Sequence, residues 1–230
     1  MSDRFYTPQP LAVGDFTLDG PEAHHMTGVR RFAPGDAVTL FNGDGHEYPA
    51  VVESGGRKSV TLTVTAAVEA DREATVRVTV AAALPKGDRA DFLVEKLTEL
   101  GVARFVPLIT TRSIVVPKLS TVEKMSRLVI EASKQCGRNR LMEVAPPTSW
   151  RDYLASATGR RYLLHTADGT TPTHDDATEL SFAVGPEGGF TPEEVAAAVA
   201  AGFVAVSFGP RVLRVETAAV VAAAWAIQPA

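Results

Sequence analysis

The segment Leu180-Ser-Phe-Ala-Val184-Gly-Pro-Glu-Gly-Gly189-Phe-Thr-Pro-Glu-Glu194 restricts the fold more than any other part of the chain. A short apolar run enters a Gly-Pro-Glu-Gly-Gly turn and leaves it at Thr191, a helix N-cap. Pro192 then takes the first helical turn and Glu194 completes a capping box. A strand buried on both faces, a tight turn and a helix are half of a βαβ unit, which demands a mostly parallel sheet. The chain repeats the arrangement: Val204-Ala-Val-Ser-Phe208 enters Gly209-Pro-Arg-Val-Leu-Arg214, and a last helix starts near Arg214. Paired glycines at strand ends let backbone N–H groups approach a ligand, and ligands of open α/β sheets lie beyond the carboxyl ends of strands. The two loops and the end of a strand at 161–165 are expected to converge on one pocket. Neither loop has Walker A or G-x-G-x-x-G spacing, which disfavours a P-loop nucleotidase and a Rossmann dehydrogenase.

Periodicity organises the rest. Residues 76–84 are a near-continuous apolar run, read as a buried strand. Residues 88–100 are helical, with Leu93, Leu97 and Leu100 on one face and Gly101 as the stop. A strand is expected at 105–109, a long helix from 120 to about 138 with Ser120 as N-cap, and a helix over 192–201. The first 70 residues read differently. Short strands at 37–42, 46–53 and 59–65 are separated by glycine turns, with one helical insertion at 22–29. That pattern suggests a small barrel. The polar stretch Glu69-Ala-Asp-Arg-Glu-Ala74 marks the boundary, so the expected domains are 1–70 and 74–230.

The chain has 230 residues, 45% of them apolar, enough to bury a core without staples. Its one cysteine, Cys136, excludes an internal disulfide and fits a cytoplasmic location. The N-terminus lacks a secretory pattern, and the longest apolar run, 218–227, is too short to span a bilayer. Net charge is −4, and residues 1–70 carry nine acids against five bases. A generic polyanion binder is disfavoured, so any RNA-facing surface must be a local patch. The long helix offers one. Lys124, Arg127, Glu131, Lys134 and Arg138 recur every three or four residues as a charged stripe, extended by Arg140. Met125, Val129, Ala132 and Cys136 form the adjacent apolar stripe. Histidines are scattered without metal-ligand spacing, so no metal site is expected.

The pair Gly185-Pro-Glu-Gly-Gly-Phe-Thr-Pro-Glu-Glu194 and Phe208-Gly-Pro-Arg-Val-Leu-Arg-Val-Glu-Thr-Ala218 resembles the RsmE family of 16S rRNA uridine N3-methyltransferases, in the SPOUT superfamily. Arg4-Phe-Tyr6, His25 with Arg30 or Arg31, Lys86-Gly-Asp-Arg89, Glu95 to Gly101, and Glu131-Ala-Ser-Lys-Gln-Cys-Gly-Arg138 resemble further family segments, in order along nearly the whole chain. The resemblance implies a PUA-like RNA-binding barrel followed by a SPOUT domain, an α/β fold whose C-terminal segment forms a trefoil knot. Periodicity and spacing do not show a knot. It also implies S-adenosylmethionine as cofactor, a homodimer, and N3 of uridine 1498 in 16S rRNA of the small ribosomal subunit as the methylated atom. Cofactor contacts are then expected from Leu164, His165, Gly185, Pro186, Glu187, Gly188, Gly189, Phe208, Gly209, Val212, Leu213, Arg214 and Thr217. RNA contacts are expected from Arg4, Arg30, Arg31, Lys86, Arg89, Lys124, Arg127, Lys134, Arg138 and Arg140.

Uridine N3 is a poor nucleophile until its proton leaves, and the charge then spreads to the O2 and O4 carbonyls. A catalyst must hold two reactants in line and stabilise that charge. Arg214, beside the second Gly-Pro loop, is the candidate cation. Glu216 either orients Arg214 or complements the helix N-terminus. Glu187 either acts as a base or caps backbone N–H groups. Arg138 is expected to reach RNA, in the partner subunit's site. The last helix is apolar almost all round, so it is buried in the core or in a dimer interface. Two other readings stay open: a SPOUT enzyme acting on tRNA or a ribose 2′-OH, and a catalytically silent RNA-binding protein of ribosome assembly.

Overall fold

The computed structural model describes residues 3–56, 58–166, 169–173 and 177–228, which leaves out Arg57 and His174. The chain forms two units. One comprises Met1–Glu73 with Ser133–Leu141, the other Ala74–Ala132 with Met142–Ala230. The long helix α3, Leu119–Cys136, therefore contributes its last turn to the first unit.

The first unit is a six-stranded sheet. Strands β1 (Arg4–Tyr6), β3 (Ala37–Phe41), β4 (His46–Gly55), β5 (Ser59–Val64) and β2 (Gly14–Asp19) lie in that order, and β6 (Val68–Glu69) pairs with β4. Only β1–β3 is parallel. Alternation along β5 puts Val60, Leu62 and Val64 inward, each fully buried, where they meet Phe5, Leu18, Leu40 and Val52. The helical insertion is a short helix α1 (Gly20–His24) continued by a π-helical turn, His25–Val29; Ala23 and Met26 plug the sheet. Periodicity missed β1 and β2. β2 has only Phe16 and Leu18 as apolar members, too few to register as an alternation.

The second unit is a parallel sheet in the order β10 (Thr148–Ser149), β8 (Arg104–Ile109), β7 (Arg77–Ala83), β12 (Glu179–Val184), β11 (Arg160–Leu164) and β13 (Val204–Val206), with β9 (Glu143–Val144) also on β8. Strands β7 and β12 are central and buried on both faces, as their near-continuous apolar runs require. One face is covered by α4 (Trp150–Ser156) and α5 (Pro192–Ala200), whose Trp150, Tyr153 and Ala198 join Phe190 and Phe203 in one cluster. On it, burial pushes the Tyr153 hydroxyl far above its ordinary pKa. The other helices, α2 (Asp88–Glu99) and α6 (Val215–Ala226), pack on each other, and α6 lies on β7 and β12. Helix α6 buries Ala219, Ala222, Ala223 and Ala226, and Trp225 stands edge-on to Tyr162 and Phe182.

Two local expectations need correction. Helix α3 starts at Leu119, so Ser120 lies inside its first turn; the Lys118 N–H donates instead to the Thr121 hydroxyl, at 3.1 Å. Helix α4 was unforeseen because seven residues are too few for a helical period, although Ser149 caps it by accepting the Asp152 N–H.

Candidate functional site

A cavity of about 520 Å³ opens at the carboxyl ends of β11, β12 and β13. Of the residues expected to converge, Leu164, His165, Gly185, Pro186, Glu187, Gly188, Gly189, Phe208, Val212, Leu213 and Arg214 line it. Gly209 and Thr217 do not. Gly209 holds φ +110° in the loop after β13, and Thr217 is exposed on α6. Thr166, Phe190, Val206, Ser207, Arg211, Val215 and Ala218 also line the cavity. Of these, Arg211 was open to discovery from sequence, since it sits between Pro210 and the already suspected Val212.

The first wall is built by β12 and its turn. A Cβ on Gly185 would stand 3.0 Å from the Phe190 ring, so the missing side chain lets that ring fold back onto Trp150 at 4.6 Å. The Gly189 N–H closes the turn on the Pro186 carbonyl at 2.8 Å, and Gly189 holds φ +68°, which favours glycine. The capping box then starts α5: Thr191 Oγ1 accepts the Glu194 N–H, and Glu194 Oε2 accepts the Thr191 N–H. The remaining Glu194 oxygen is used too, accepting the Thr111 N–H at 2.8 Å. A carboxylate in this position is therefore both cap and strut.

The second wall joins the loop after β11 to the end of β13. The His165 and Thr170 N–H groups donate to Val206 and Ala205, and the Ser207 N–H donates back to Thr170. This closeness rests on Gly169, where a Cβ would lie 2.4 Å from the His165 oxygen and 2.5 Å from the Val206 carbonyl carbon. The third wall is the segment 211–215. Arg214 is the N-cap of α6 with extended backbone, and its side chain and that of Arg211 are exposed at the cavity.

Glu216 does not line the cavity. It is buried in the first turn of α6, its Oε2 accepts no hydrogen bond from the described residues, and Arg89 Nη1 stands 3.8 Å from it. Arg89 also donates to Glu187 at 3.2 Å, so it bridges the glycine turn and α6.

Several of the basic residues expected to meet RNA are paired with carboxylates. Lys124 pairs with Asp91 at 2.6 Å, and Arg127 is exposed. Lys134 pairs with Glu22 at 2.9 Å. Arg138 is 4% exposed and forks onto Glu73, with Nη2 at 2.6 Å and Nε at 2.9 Å. Arg4 pairs with Glu47 and lies over the Phe41 ring, and Arg30 pairs with Asp3. Arg31, Lys86 and Arg140 are exposed; Arg31 holds φ 60°, and Arg140 covers Gly45. Carboxylates distant in sequence thus take up several of the expected RNA contacts. Among the described residues no three His, Cys, Asp or Glu side chains are placed to hold a metal ion, and no helix is long and apolar enough to cross a membrane.

Known proteins share this architecture. A family model described as an RNA methyltransferase domain matches residues 72–227, and one described as an RNA methyltransferase PUA domain matches residues 18–65. The ribosomal RNA small subunit methyltransferase E of Mycobacterium bovis is 35% identical over 89% of this chain and 83% of its own. A methyltransferase from Legionella pneumophila, solved in complex with the bound cofactor SAM, is 33% identical with a TM-score of 0.92, covering 98% of this chain and 96% of its own. The ribosomal RNA small subunit methyltransferase E of Neisseria gonorrhoeae, solved bound to S-adenosyl methionine, is 31% identical with a TM-score of 0.90 over the same shares. By sequence and fold, the chain belongs to the RNA methyltransferase family that includes the ribosomal RNA small subunit methyltransferases E.

Proposed function

We propose that the protein is an S-adenosylmethionine-dependent methyltransferase of 16S ribosomal RNA, and that the atom methylated is N3 of a single uridine, position 1498 by family resemblance. The observation that carries the reading is the cavity at the ends of β11, β12 and β13, in a chain that matches two cofactor-bound methyltransferases over nearly its whole length. The residues present fit the cofactor. Two glycine-proline loops bring backbone to the cavity wall, and the apolar Leu164, Val206, Phe208 and Leu213 offer surface to a purine ring. When bound, the cofactor supplies an electrophilic methyl group on a sulfonium. The loops at 185–189 and 207–214 hold and orient it. Arg214 stabilises the charge that appears on the uracil oxygens when N3 loses its proton, and Arg211 meets an adjacent phosphate. The exposed Arg31, Lys86, Arg127 and Arg140 are the remaining candidates for contacts to the RNA backbone.

The knot and the homodimer belong to the same proposal. The loop after β11 is bonded along β13, while the chain beyond β13 returns to place α6 on β7 and β12. That path supports a C-terminal segment passing through the loop. The test is incubation with labelled S-adenosylmethionine and small ribosomal subunits lacking the modification, followed by nucleoside analysis. Label in 3-methyluridine is expected. Label in a 2′-O-methylated or any other nucleoside would overturn the N3 assignment, and a protein that binds no cofactor would overturn the reading altogether.

A further inference from the structure

The turn at 185–189 is held from outside the cavity as well as from within. Its peptide unit between Gly188 and Gly189 is pinned at both ends. The N–H donates to the Pro186 carbonyl at 2.8 Å, and the C=O accepts from Arg112 Nη1 at 2.7 Å. Arg112 comes from the loop after β8. Strand adjacency does not force this contact, because β7 lies between β8 and β12. The same loop sends the Thr111 N–H to Glu194 Oε1 at 2.8 Å, so it grips both the turn and the cap of the helix beyond it. The fit of side chain to turn is close: a methyl group on Gly188 would sit 3.3 Å from Arg112 Cδ. On the other flank Arg89 holds Glu187.

We propose that Arg112 is a positioning residue for cofactor binding, one that never touches the cofactor. Its guanidinium fixes the plane of the 188–189 peptide and so fixes the backbone that Gly185 to Gly188 present to the cavity. Without it the turn keeps its internal hydrogen bond but loses the partner of an outward carbonyl, and it samples orientations in which its backbone faces the cofactor poorly. Binding then carries the cost of reordering the turn. A charge-assisted hydrogen bond at an exposed site corresponds to about tenfold in affinity. The inference rests on the methyltransferase reading above.

The experiment is titration calorimetry of the full chain with S-adenosylmethionine, alongside steady-state methylation of small ribosomal subunits. Arg112→Ala is expected to raise the cofactor Kd and KM about tenfold and to leave kcat at saturating cofactor within about threefold. Arg112→Lys, which can still donate one hydrogen bond to the Gly188 carbonyl, is expected to recover affinity to within about threefold of the parent. Gly188→Ala, which crowds Arg112, is expected to weaken binding as Arg112→Ala does, and the double variant to be no weaker than either single one. Should Arg112→Ala fail to fold, as a thermal melt would reveal, the Arg112→Lys and Gly188→Ala pair carries the test unaided. Parent-like affinity in Arg112→Ala, or a lysine variant no better than alanine, would overturn the positioning role and leave the methyltransferase reading standing. A parent protein that binds no S-adenosylmethionine would overturn both.

Discussion

At the scale of single residues, burial divides the arginines into two groups. Arg211 and Arg214 are exposed at the cavity, where the proposed function sets them against RNA. Arg214→Ala is expected to lower kcat about a hundredfold while cofactor affinity changes only a few-fold, because a cation that meets charge only in the transition state acts on kcat; single-turnover methylation with calorimetry separates the two. Arg138 belongs to the other group. Buried and forked onto Glu73, it lies two residues beyond the end of α3, although the three-and-four spacing of the expected helix suggests an RNA contact. Removing it strands the Glu73 carboxylate, so Arg138→Ala should cost about 3 kcal/mol, read from urea unfolding. Glu47 shows the same logic in acid. Burial pushes its carboxyl up, but hydrogen bonds from Arg72 and Arg4, together with their charges, outweigh burial and hold it below its ordinary value. Such a group contributes fully above the unfolded-chain value of about 4.3 and loses its contribution as pH falls through the folded value. Stability should therefore drop below about pH 4.3, and less steeply in Glu47→Gln, in unfolding curves collected across that range.

At the scale of elements, the cavity is made by the loops at the strand ends rather than by the strands themselves. β12 stops where Gly185 admits the Phe190 ring, and α5 begins where Thr191 and Glu194 cap each other. β11 and β13 are held together beyond their ends by a loop in which only a residue without Cβ fits at position 169. Gly169→Ala must push backbone apart rather than move a side chain. It is expected to destabilise the protein by about 2 to 4 kcal/mol and to weaken S-adenosylmethionine binding, which thermal melts with and without the cofactor will measure. These elements were readable in advance to differing degrees. The Thr-Pro-Glu-Glu cap and the near-continuous apolar runs of β7 and β12 carry their structure in local sequence. Helix α4 and strand β2 do not, because they are too short or too polar for a period to emerge.

At the scale of the whole molecule, the chain is two units, and residues 133–141 belong with the first although the sequence pattern places them in the second. Two ion pairs and a hydrogen bond hold them there: Lys134 with Glu22, Arg138 with Glu73, and the Asn139 amide donating to the Ala70 carbonyl. The proposed homodimer is a prediction at this scale. Sedimentation equilibrium should return twice the mass of one chain, and a monomer at micromolar concentration would refute the assembly. The class of the second unit, the succession of its main strands and helices, and the convergence of two glycine loops with the end of one strand are legible in local sequence, because buried strands, caps and glycine turns are encoded by neighbours within a few residues; the individual lining residues came from the family resemblance. Tertiary structure alone decided which cations are free. A charge three or four positions along a helix looks solvated until the fold brings up a carboxylate from 65 or 112 residues away, as Glu73 meets Arg138 and Glu22 meets Lys134. No local pattern records those distances, and the same holds for the reach of Arg112 across β7 to the glycine turn.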